Sequence, residues 1–135
     1  NVVGIKDSSK DTYKENLKAA SSSFSVLAGS ANYFLDLLQQ RGAGGVLSLA
    51  NVFPEACVSL YKAYQAGNTE EANRLNEKIV QLNKAVSGTY GVAGVKAAMD
   101  LAGYVGGVPR RPLKALTEEQ IVSLKSTLIS LGFLK

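Results

Sequence analysis

The first nine residues, NVVGIKDSS (residues 1–9), change character abruptly from apolar to polar. The run from Val2 to Ile5 is typical of a short, buried parallel strand. Lys6 follows it directly, before the polar residues begin. A lysine in this position is costly to bury unless its charge reaches water, finds a partner or is lost. The stretch therefore predicts a strand and makes the environment of Lys6 the central question.

Two more strand-like runs follow, each separated from the last by a helix signal. They are Phe24 to Ala28 and Gly45 to Leu49. The predicted helices run from Thr12 to about Ala20, from Ala31 to Gln40 and from Pro54 to about Ala66. Strands and helices that alternate through short loops predict parallel strands joined by right-handed crossovers.

Local signals set the ends of these helices. Thr12 and Glu15 have the spacing of a capping box, in which each side chain accepts a backbone N–H of the first turn. Gly42 is a candidate for the left-handed residue that follows a helix, and Gly67 is another. Pro54 suits the first turn of a helix, where its missing N–H costs nothing.

The second half of the sequence has no comparable strand signal and is expected to be helical. Its predicted helices are Thr69 to about Ser87, Val92 to about Ala102 and Thr117 to about Leu131. Gly103 is expected to end the second of these and Gly132 the third. Thr117 and Gln120 repeat the capping-box spacing. We therefore divide the chain into a strand-and-helix region, residues 1–66, and a helical region, residues 67–135.

Composition excludes several classes of function. The 135 residues include one cysteine, Cys57, and no histidine, which excludes an internal disulfide, argues against a structural zinc site and excludes a histidine-activated nucleophile within the chain. The net charge of +4 is spread along the chain except near Arg110, Arg111 and Lys114, so a mixed solvated surface is favoured over a nucleic-acid partner. No membrane span or signal peptide is predicted, and we expect a soluble protein of the cytoplasm or mitochondria.

The carboxyl ends of parallel strands gather at one edge of a sheet or barrel, where function concentrates. Three such ends are predicted here, namely residues 6–8, 29–30 and 47–51. We expect them to face a common pocket. Cys57, by contrast, lies among apolar residues of a predicted helix and is expected to be a buried structural thiol.

The pattern alone leaves two interpretations of Lys6 open. The side chain either reaches solvent or pairs with a carboxylate such as Asp7, or it is a nucleophile. A lysine among apolar groups has a lowered pKa, and its free amine can attack a ketone to form a Schiff base without metal or cofactor. Sequence spacing does not distinguish the two.

Glycine clusters provide a third possibility. The stretches LAGSA (27–31) and GAGGVL (42–47) lie beside predicted strands. Backbone N–H groups of glycine-rich loops can bind phosphate, although neither stretch matches the dinucleotide or P-loop patterns. A phosphate-binding half-barrel is therefore an alternative hypothesis.

Four motifs together resemble a known superfamily. VVGIKDSS (2–9), VLAGSA (26–31), GAGGVLSLANVFPE (42–55) and RRPLKAL (110–116) occur in the order and at the separations found in the C-terminal part of the dihydrodipicolinate synthase and N-acetylneuraminate lyase superfamily. Its members are class I, pyruvate-handling aldolases on a (β/α)8 TIM barrel. The resemblance implies an α/β fold: the last three strand–helix units of that barrel, followed by a C-terminal helical region.

The resemblance also implies roles for individual residues. Lys6 would be the Schiff-base lysine of a lyase that acts on a 2-oxo acid, with pyruvate as product or donor. The implied substrate-binding residues are Ser8, Gly29, Ser30, Leu47 and Asn51. The family implies no metal or cofactor, a small-molecule substrate and a homo-oligomer, commonly a tetramer. Within the superfamily the motifs look most like 4-hydroxy-2-oxoglutarate aldolases and related fungal proteins, with a dihydrodipicolinate synthase-like activity also open.

Some family features are missing or different. The proton-shuttling tyrosine and the hydroxyl-rich loop that binds the pyruvate carboxylate lie upstream in the family and are not in this sequence. GSAN (29–32) lacks the acidic pair of sialic-acid lyases, and YGVAGVK (90–96) replaces an asparagine–proline pattern. We therefore expect a piece of a longer protein that is inactive alone. The alternative is a non-catalytic assembly module or degenerate homologue.

Overall fold

The computed structural model describes all residues, 1–135, and alternates strands and helices through its first half. The elements there are β1 (Gly4–Asp7), α1 (Tyr13–Leu17), β2 (Ser25–Ala28), α2 (Phe34–Gln39), β3 (Gly44–Gly45) and α3 (Pro54–Gln65). The second half contains α4 (Thr69–Asn83), α5 (Thr89–Leu101) and α6 (Glu118–Ser130). Short 3₁₀ turns cover Ala31–Tyr33 and Ser48–Asn51, and a π-helical turn covers Lys84–Gly88.

The three strands form one parallel sheet in the order β1-β2-β3, as the sequence predicted. In this register Lys6 lies beside Leu27, and Leu27 lies beside Gly44. Because neighbouring residues of a parallel sheet share a face, these three lie on the same face of the sheet. Lys6 lies within β1, since the strand begins and ends two residues later than predicted.

The two faces of the sheet have different surroundings. Val26 and Ala28 are completely buried and belong to a continuous hydrophobic core of 23 residues, which extends into α4, α5 and α6. Asp7, beside Ala28 in the register, is also buried. We call this side the covered face. Lys6 is exposed and Leu27 only half-buried on the opposite side, the open face, which none of the helices covers.

The first helix is shorter than predicted and lacks the predicted capping box. It ends at Leu17, and the side chain of Thr12 makes no capping hydrogen bond. Instead, the Thr12 hydroxyl donates to the carboxylate of Asp7 at 2.9 Å. Glu15 pairs with Lys18 on the surface. The Thr12 hydroxyl, which the local pattern assigned to the helix cap, therefore binds the buried Asp7 carboxylate instead.

The third strand is also shorter than predicted. Only Gly44 and Gly45 pair with β2, although the N–H of Val46 still donates to the Ala28 carbonyl at 2.8 Å. The chain then enters the 3₁₀ turn of Ser48–Asn51, so the prediction of a strand through Leu49 was wrong. An apolar run alone does not distinguish a buried strand from a buried turn.

The glycine predicted to end α2 has a different task. Arg41, not Gly42, adopts the left-handed backbone conformation, with φ at 72°. A side chain at Gly42 would overlap the side chain of Leu37, a fully buried residue of α2. Gly42 thus leaves room for the Leu37 side chain, whereas Arg41 makes the left-handed turn.

The helical region follows its local signals more closely. Gly67, Gly103 and Gly132 have positive φ and follow α3, α5 and α6, as predicted. Thr117 and Gln120 form the predicted capping box at the start of α6. The long helix predicted through Ser87 is regular only to Asn83, after which the π-helical turn leads into α5. None of the helices combines the length and apolar character that crossing a membrane requires.

Candidate functional site

The carboxyl ends of β1 and β2 lie against each other and form the centre of the candidate site. The N–H of Gly29 donates to the backbone carbonyl of Asp7 at 2.6 Å. A Cβ atom at Gly29 would collide with the Ser8 hydroxyl and with this carbonyl, so only glycine permits the approach. The structure therefore brings Ser8 and Gly29 together, one residue beyond the last pair of the strand register, Asp7 with Ala28.

Lys6 extends from the open face and has no ionic partner. It takes part in none of the three ion pairs of the chain, so the possible pairing with Asp7 does not occur. Side chains alternate along a strand, so Lys6 and Asp7 point to opposite faces. The expected apolar surroundings are also absent: Lys6 is exposed because no element of this chain covers its face.

Asp7 is buried on the covered face and organises the segment that follows β1. Its carboxylate accepts the N–H of Ser9 at 2.7 Å, the Thr12 hydroxyl at 2.9 Å and the side-chain amide of Asn16 at 2.7 Å. Burial alone would raise the pKa of Asp7, but these three hydrogen bonds outweigh it and hold the pKa below its usual value. The ionised carboxylate therefore anchors the loop that carries Ser8.

Two tyrosines near the strand ends were not singled out by the sequence. The Tyr33 hydroxyl donates to the backbone carbonyl of Asp7 at 2.7 Å, and its ring stacks on Tyr13 with centroids 4.5 Å apart. Burial, together with the charge of Asp7, raises the pKa of Tyr33. Burial and a hydrogen bond to Asp36 raise the pKa of Tyr13 to about 12. Both tyrosines are therefore neutral at physiological pH. Their stacked rings join the segment after β1 to the segment after β2.

Ser30 lies in the loop after β2, where its hydroxyl oxygen accepts the backbone N–H of Asn32 at 3.3 Å. The hydroxyl proton is not used by this bond and remains available to an acceptor. Ser30 is half-buried and directly follows Gly29. The loop therefore places a hydroxyl donor at the same end of the sheet as Ser8.

Leu47 and Asn51 lie away from this pair. Leu47 is buried over Gly45 and next to Phe34 of α2, in a largely apolar cavity of about 280 Å³ that α3 also lines. It therefore lies toward the covered face, whereas Lys6 lies on the open one. Asn51 is exposed, and its side-chain amide donates to the Ser48 carbonyl at 3.0 Å. Their substrate-binding roles stay predictions.

The remaining candidate groups have structural tasks. The Gly29 N–H is used by Asp7, so it is not free to bind phosphate, which weakens the half-barrel alternative. Cys57 is buried as expected, and burial raises the pKa of its thiol to about 11. At neutral pH it is an un-ionised packing group.

The motifs and strand ends described above match a family pattern that extends over nearly the entire chain. The model of the dihydrodipicolinate synthetase family matches residues 1–131. The chain belongs to this family. The resemblance inferred from the sequence is thereby confirmed.

Curated relatives agree with this assignment. An uncharacterised DapA-like lyase of Halobacterium salinarum is 36% identical over 134 residues, covering 98% of this chain and 44% of the relative. A 4-hydroxy-tetrahydrodipicolinate synthase of Methanopyrus kandleri is 32% identical, covering 98% of this chain and 45% of the relative. The chain spans somewhat less than half the length of these relatives.

Solved structures support the fold. A dihydrodipicolinate synthase of Bacillus anthracis superposes with a TM-score of 0.88 at 29% identity, covering 96% of this chain and 45% of that one. The fold is the one expected from the sequence: three parallel strands and their helices from the C-terminal part of a (β/α)8 barrel, followed by helices.

Proposed function

We propose that Lys6 is the Schiff-base lysine of a class I aldolase or lyase site that acts on a 2-oxo acid. The observation that carries the proposal is the position of Lys6. In a chain of this family, it projects from the open face of a parallel sheet at the carboxyl end of β1. In barrels, this end of the strands is where catalytic groups gather.

The chemistry requires a neutral amine and a ketone. The Lys6 amine adds to the ketone carbon of the 2-oxo acid, and loss of water gives an iminium ion. In a 4-hydroxy-2-oxo acid, a base takes the proton of the C4 hydroxyl as the bond between C3 and C4 breaks. The electron pair of that bond passes to the iminium, which releases an aldehyde and leaves an enamine. Protonation of the enamine and hydrolysis then return pyruvate and free Lys6. In the reverse direction the same enamine attacks an aldehyde.

Hydroxyl groups near Lys6 suit a carboxylate substrate. Ser8 is exposed two residues after Lys6, and Ser30 has a free hydroxyl proton in the adjacent loop. We propose that these two donate hydrogen bonds to the 2-oxo acid and that Gly29 keeps the loops close enough for both to reach it. Charge-assisted bonds of this kind are stronger than neutral ones.

The activity of the whole protein is part of the same proposal. The relative from Methanopyrus kandleri is named 4-hydroxy-tetrahydrodipicolinate synthase, which supports a dihydrodipicolinate synthase-like reaction. The motifs GIKDSS (4–9) and SLANV (48–52) resemble those of 4-hydroxy-2-oxoglutarate aldolases, which favours aldol cleavage of that kind. Both reactions pass through a pyruvate enamine. We expect homo-oligomers, and we expect turnover to need proton-transfer groups beyond these 135 residues.

Reductive trapping tests the role of Lys6. The intact protein, with the proton-transfer groups expected beyond these 135 residues, is incubated with pyruvate and borohydride, digested and mapped by mass spectrometry. A 1-carboxyethyl group on Lys6 is expected in the wild type and no such modification in Lys6→Arg. Lys10→Arg, at an exposed lysine four positions further on, is the matched control and should trap normally. Equal labelling of Lys10 and Lys6, or labelling that survives in Lys6→Arg at other lysines, would overturn the assignment.

A second candidate function is a non-catalytic assembly module. The observation that favours it is the exposed apolar surface around the strands: Val2 is 74% exposed, Val3 73% and Val46 54%. Exposed apolar side chains of this size are a feature of surfaces that bind other protein chains. Native mass spectrometry with and without pyruvate separates the two: tight assembly with no pyruvate adduct favours the module, and an adduct at Lys6 favours the lyase.

A further inference from the structure

Only two polar or charged residues of the chain are buried, and both are bound to the strand-end loops. Asp7 anchors the loop after β1, as described above. The other is Asn83, which is 3% exposed at the last position of α4 in the helical region. Its side-chain amide N–H donates to the Oδ1 atom of Asn32 at 3.0 Å, across a sequence separation of 51 residues.

Asn83 meets the candidate site at one defined point. Asn32 lies in the 3₁₀ turn directly after Gly29 and Ser30, and its own N–H donates to the Ser30 hydroxyl oxygen. The next residue, Tyr33, donates to the backbone carbonyl of Asp7. One loop is therefore tied to the helical region through Asn32 and to the end of β1 through Tyr33.

The other half of the Asn83 amide is also satisfied. The Ser87 hydroxyl donates to Asn83 Oδ1 at 2.9 Å from within the π-helical turn of Lys84–Gly88. A buried amide is costly unless its donor and its acceptor both find partners. An asparagine can satisfy both neighbours at once, whereas an apolar residue of the same size can satisfy neither.

We propose that Asn83 is a positioning residue: through Asn32 it fixes the loop that presents Ser30 to the substrate of Lys6. The proposal rests on the proposed function for the part that concerns substrate. It makes the helical region a contributor to the geometry of the site, although no helical-region residue is proposed to touch the substrate. Loss of Asn83 should weaken substrate binding more than it slows the chemical step.

The test combines hydrogen exchange with pyruvate trapping on the same intact protein. In Asn83→Leu, amide exchange in residues 29–33 is expected to rise about tenfold, as loss of one buried hydrogen bond implies. The pyruvate concentration that gives half-maximal trapping at Lys6 should rise several-fold, while the maximal trapping rate changes less than twofold. Thr117→Ala is the matched control, because it removes a capping hydrogen bond that shares no partner with Asn83 or Asn32, and it should leave exchange in residues 29–33 unchanged.

A second variant keeps the test decisive if Asn83→Leu does not fold. Asn32→Ala removes the same hydrogen bond from the loop side and should give the same two changes. Unchanged exchange in residues 29–33, or a rise shared equally by β1 and α6, would overturn the proposal. If the wild type forms no adduct at Lys6, the proposed function has failed, and the exchange measurement still decides whether Asn83 holds the loop.

Discussion

Residues 12–15 and residues 117–120 present the same local signal, a threonine followed three positions later by Glu or Gln, yet they behave differently. At Thr117 the hydroxyl accepts the N–H of Gln120, and the Gln120 side chain accepts the N–H of Thr117. At Thr12 the hydroxyl donates to Asp7 instead, and no capping bond forms. At Thr117 the hydroxyl is the acceptor that caps the helix, and its proton also reaches the exposed Glu119 at 3.5 Å; at Thr12 the hydroxyl is a donor only.

The difference shows that a hydrogen bond to a buried charge stabilises the fold more than a hydrogen bond that caps a helix. A hydrogen bond to an ionised, buried carboxylate contributes about 1.5–3 kcal/mol, whereas an N-cap contributes about 1 kcal/mol. Around Asp7, the side chains of Thr12 and Asn16 serve the site loop. Around Thr117, no such charge competes and the helix signal prevails.

The largest effect is expected when the charge of Asp7 is removed, because the difference between the two threonines depends on it. We expect Asp7→Asn to lower the free energy of unfolding at pH 7 by about 2–3 kcal/mol, because three hydrogen bonds lose their charged acceptor. The measurement is urea denaturation. Asp11→Asn, at an exposed carboxylate in the same loop, is the control and should change it by less than about 0.5 kcal/mol. Equal effects of the two variants would refute the anchoring role.

Acid should remove the contribution that the ionised Asp7 carboxylate makes to the free energy of unfolding. The pKa of Asp7 is lower in the folded chain than in the unfolded one, so the unfolded state binds the proton more readily. The stability from this group is therefore fully present above the unfolded pKa of about 3.9 and is lost as the pH falls through the folded pKa. The difference between wild type and Asp7→Asn, measured by urea denaturation, should stay constant from neutral pH to about 5 and narrow below about 4. A difference that persists unchanged at about pH 2 would contradict this explanation.

One substitution at both threonines sharpens the donor–acceptor contrast. Thr117→Asp keeps a capping acceptor at a helix N-terminus and should leave the free energy of unfolding within about 0.5 kcal/mol. Thr12→Asp replaces a donor by a second carboxylate beside Asp7 and should destabilise by about 1–2 kcal/mol at pH 7. Thermal denaturation of the two variants gives the comparison. Similar losses at both sites would mean that Thr12 acts as an ordinary cap.

The smallest expected effect concerns the third residue after each threonine. Glu15 pairs with Lys18 on the surface and makes no capping bond, so Glu15→Ala should change the free energy of unfolding by less than about 0.5 kcal/mol. Gln120→Ala removes a hydrogen bond within a formed capping box and should cost slightly more, about 0.5–1 kcal/mol. Urea denaturation of matched variants measures both. A larger loss for Glu15→Ala would reverse the ranking.

Sequence patterns predicted those features that depend on near neighbours in the chain. The three parallel strands, the glycines after α3 and α6, and the capping box of Thr117 were all correct. The end of β3 was not, because Leu47 and its neighbours form an apolar run that fits a buried turn as well as a strand. The assignment of Gly42 failed because its task is set by Leu37, which only the fold brings against it.

The sequence predicted that strand ends form the candidate site, but it did not predict the hydrogen bonds that hold the site's loops in place. The rule that strand ends gather holds for β1 and β2, where Ser8 lies against Gly29, but residues 47–51 do not join them in the expected common pocket. Sequence could not show that Tyr33 would bind the carbonyl of Asp7 or that Asn83 would bind Asn32, since these contacts join residues 26 and 51 positions apart. Polar residues that support a site resemble ordinary surface residues until the fold buries them.

The turn after α2 has a consequence for protein engineering. Arg41 holds a left-handed backbone that costs most side chains about 1–2 kcal/mol, while the adjacent Gly42 is kept glycine by the bulk of Leu37. The backbone therefore needs the conformational freedom of glycine at position 41, but the glycine lies at position 42. Arg41→Gly or Arg41→Asn is consequently the first substitution to try for a more heat-resistant chain, since it relaxes the turn without altering any residue of the site.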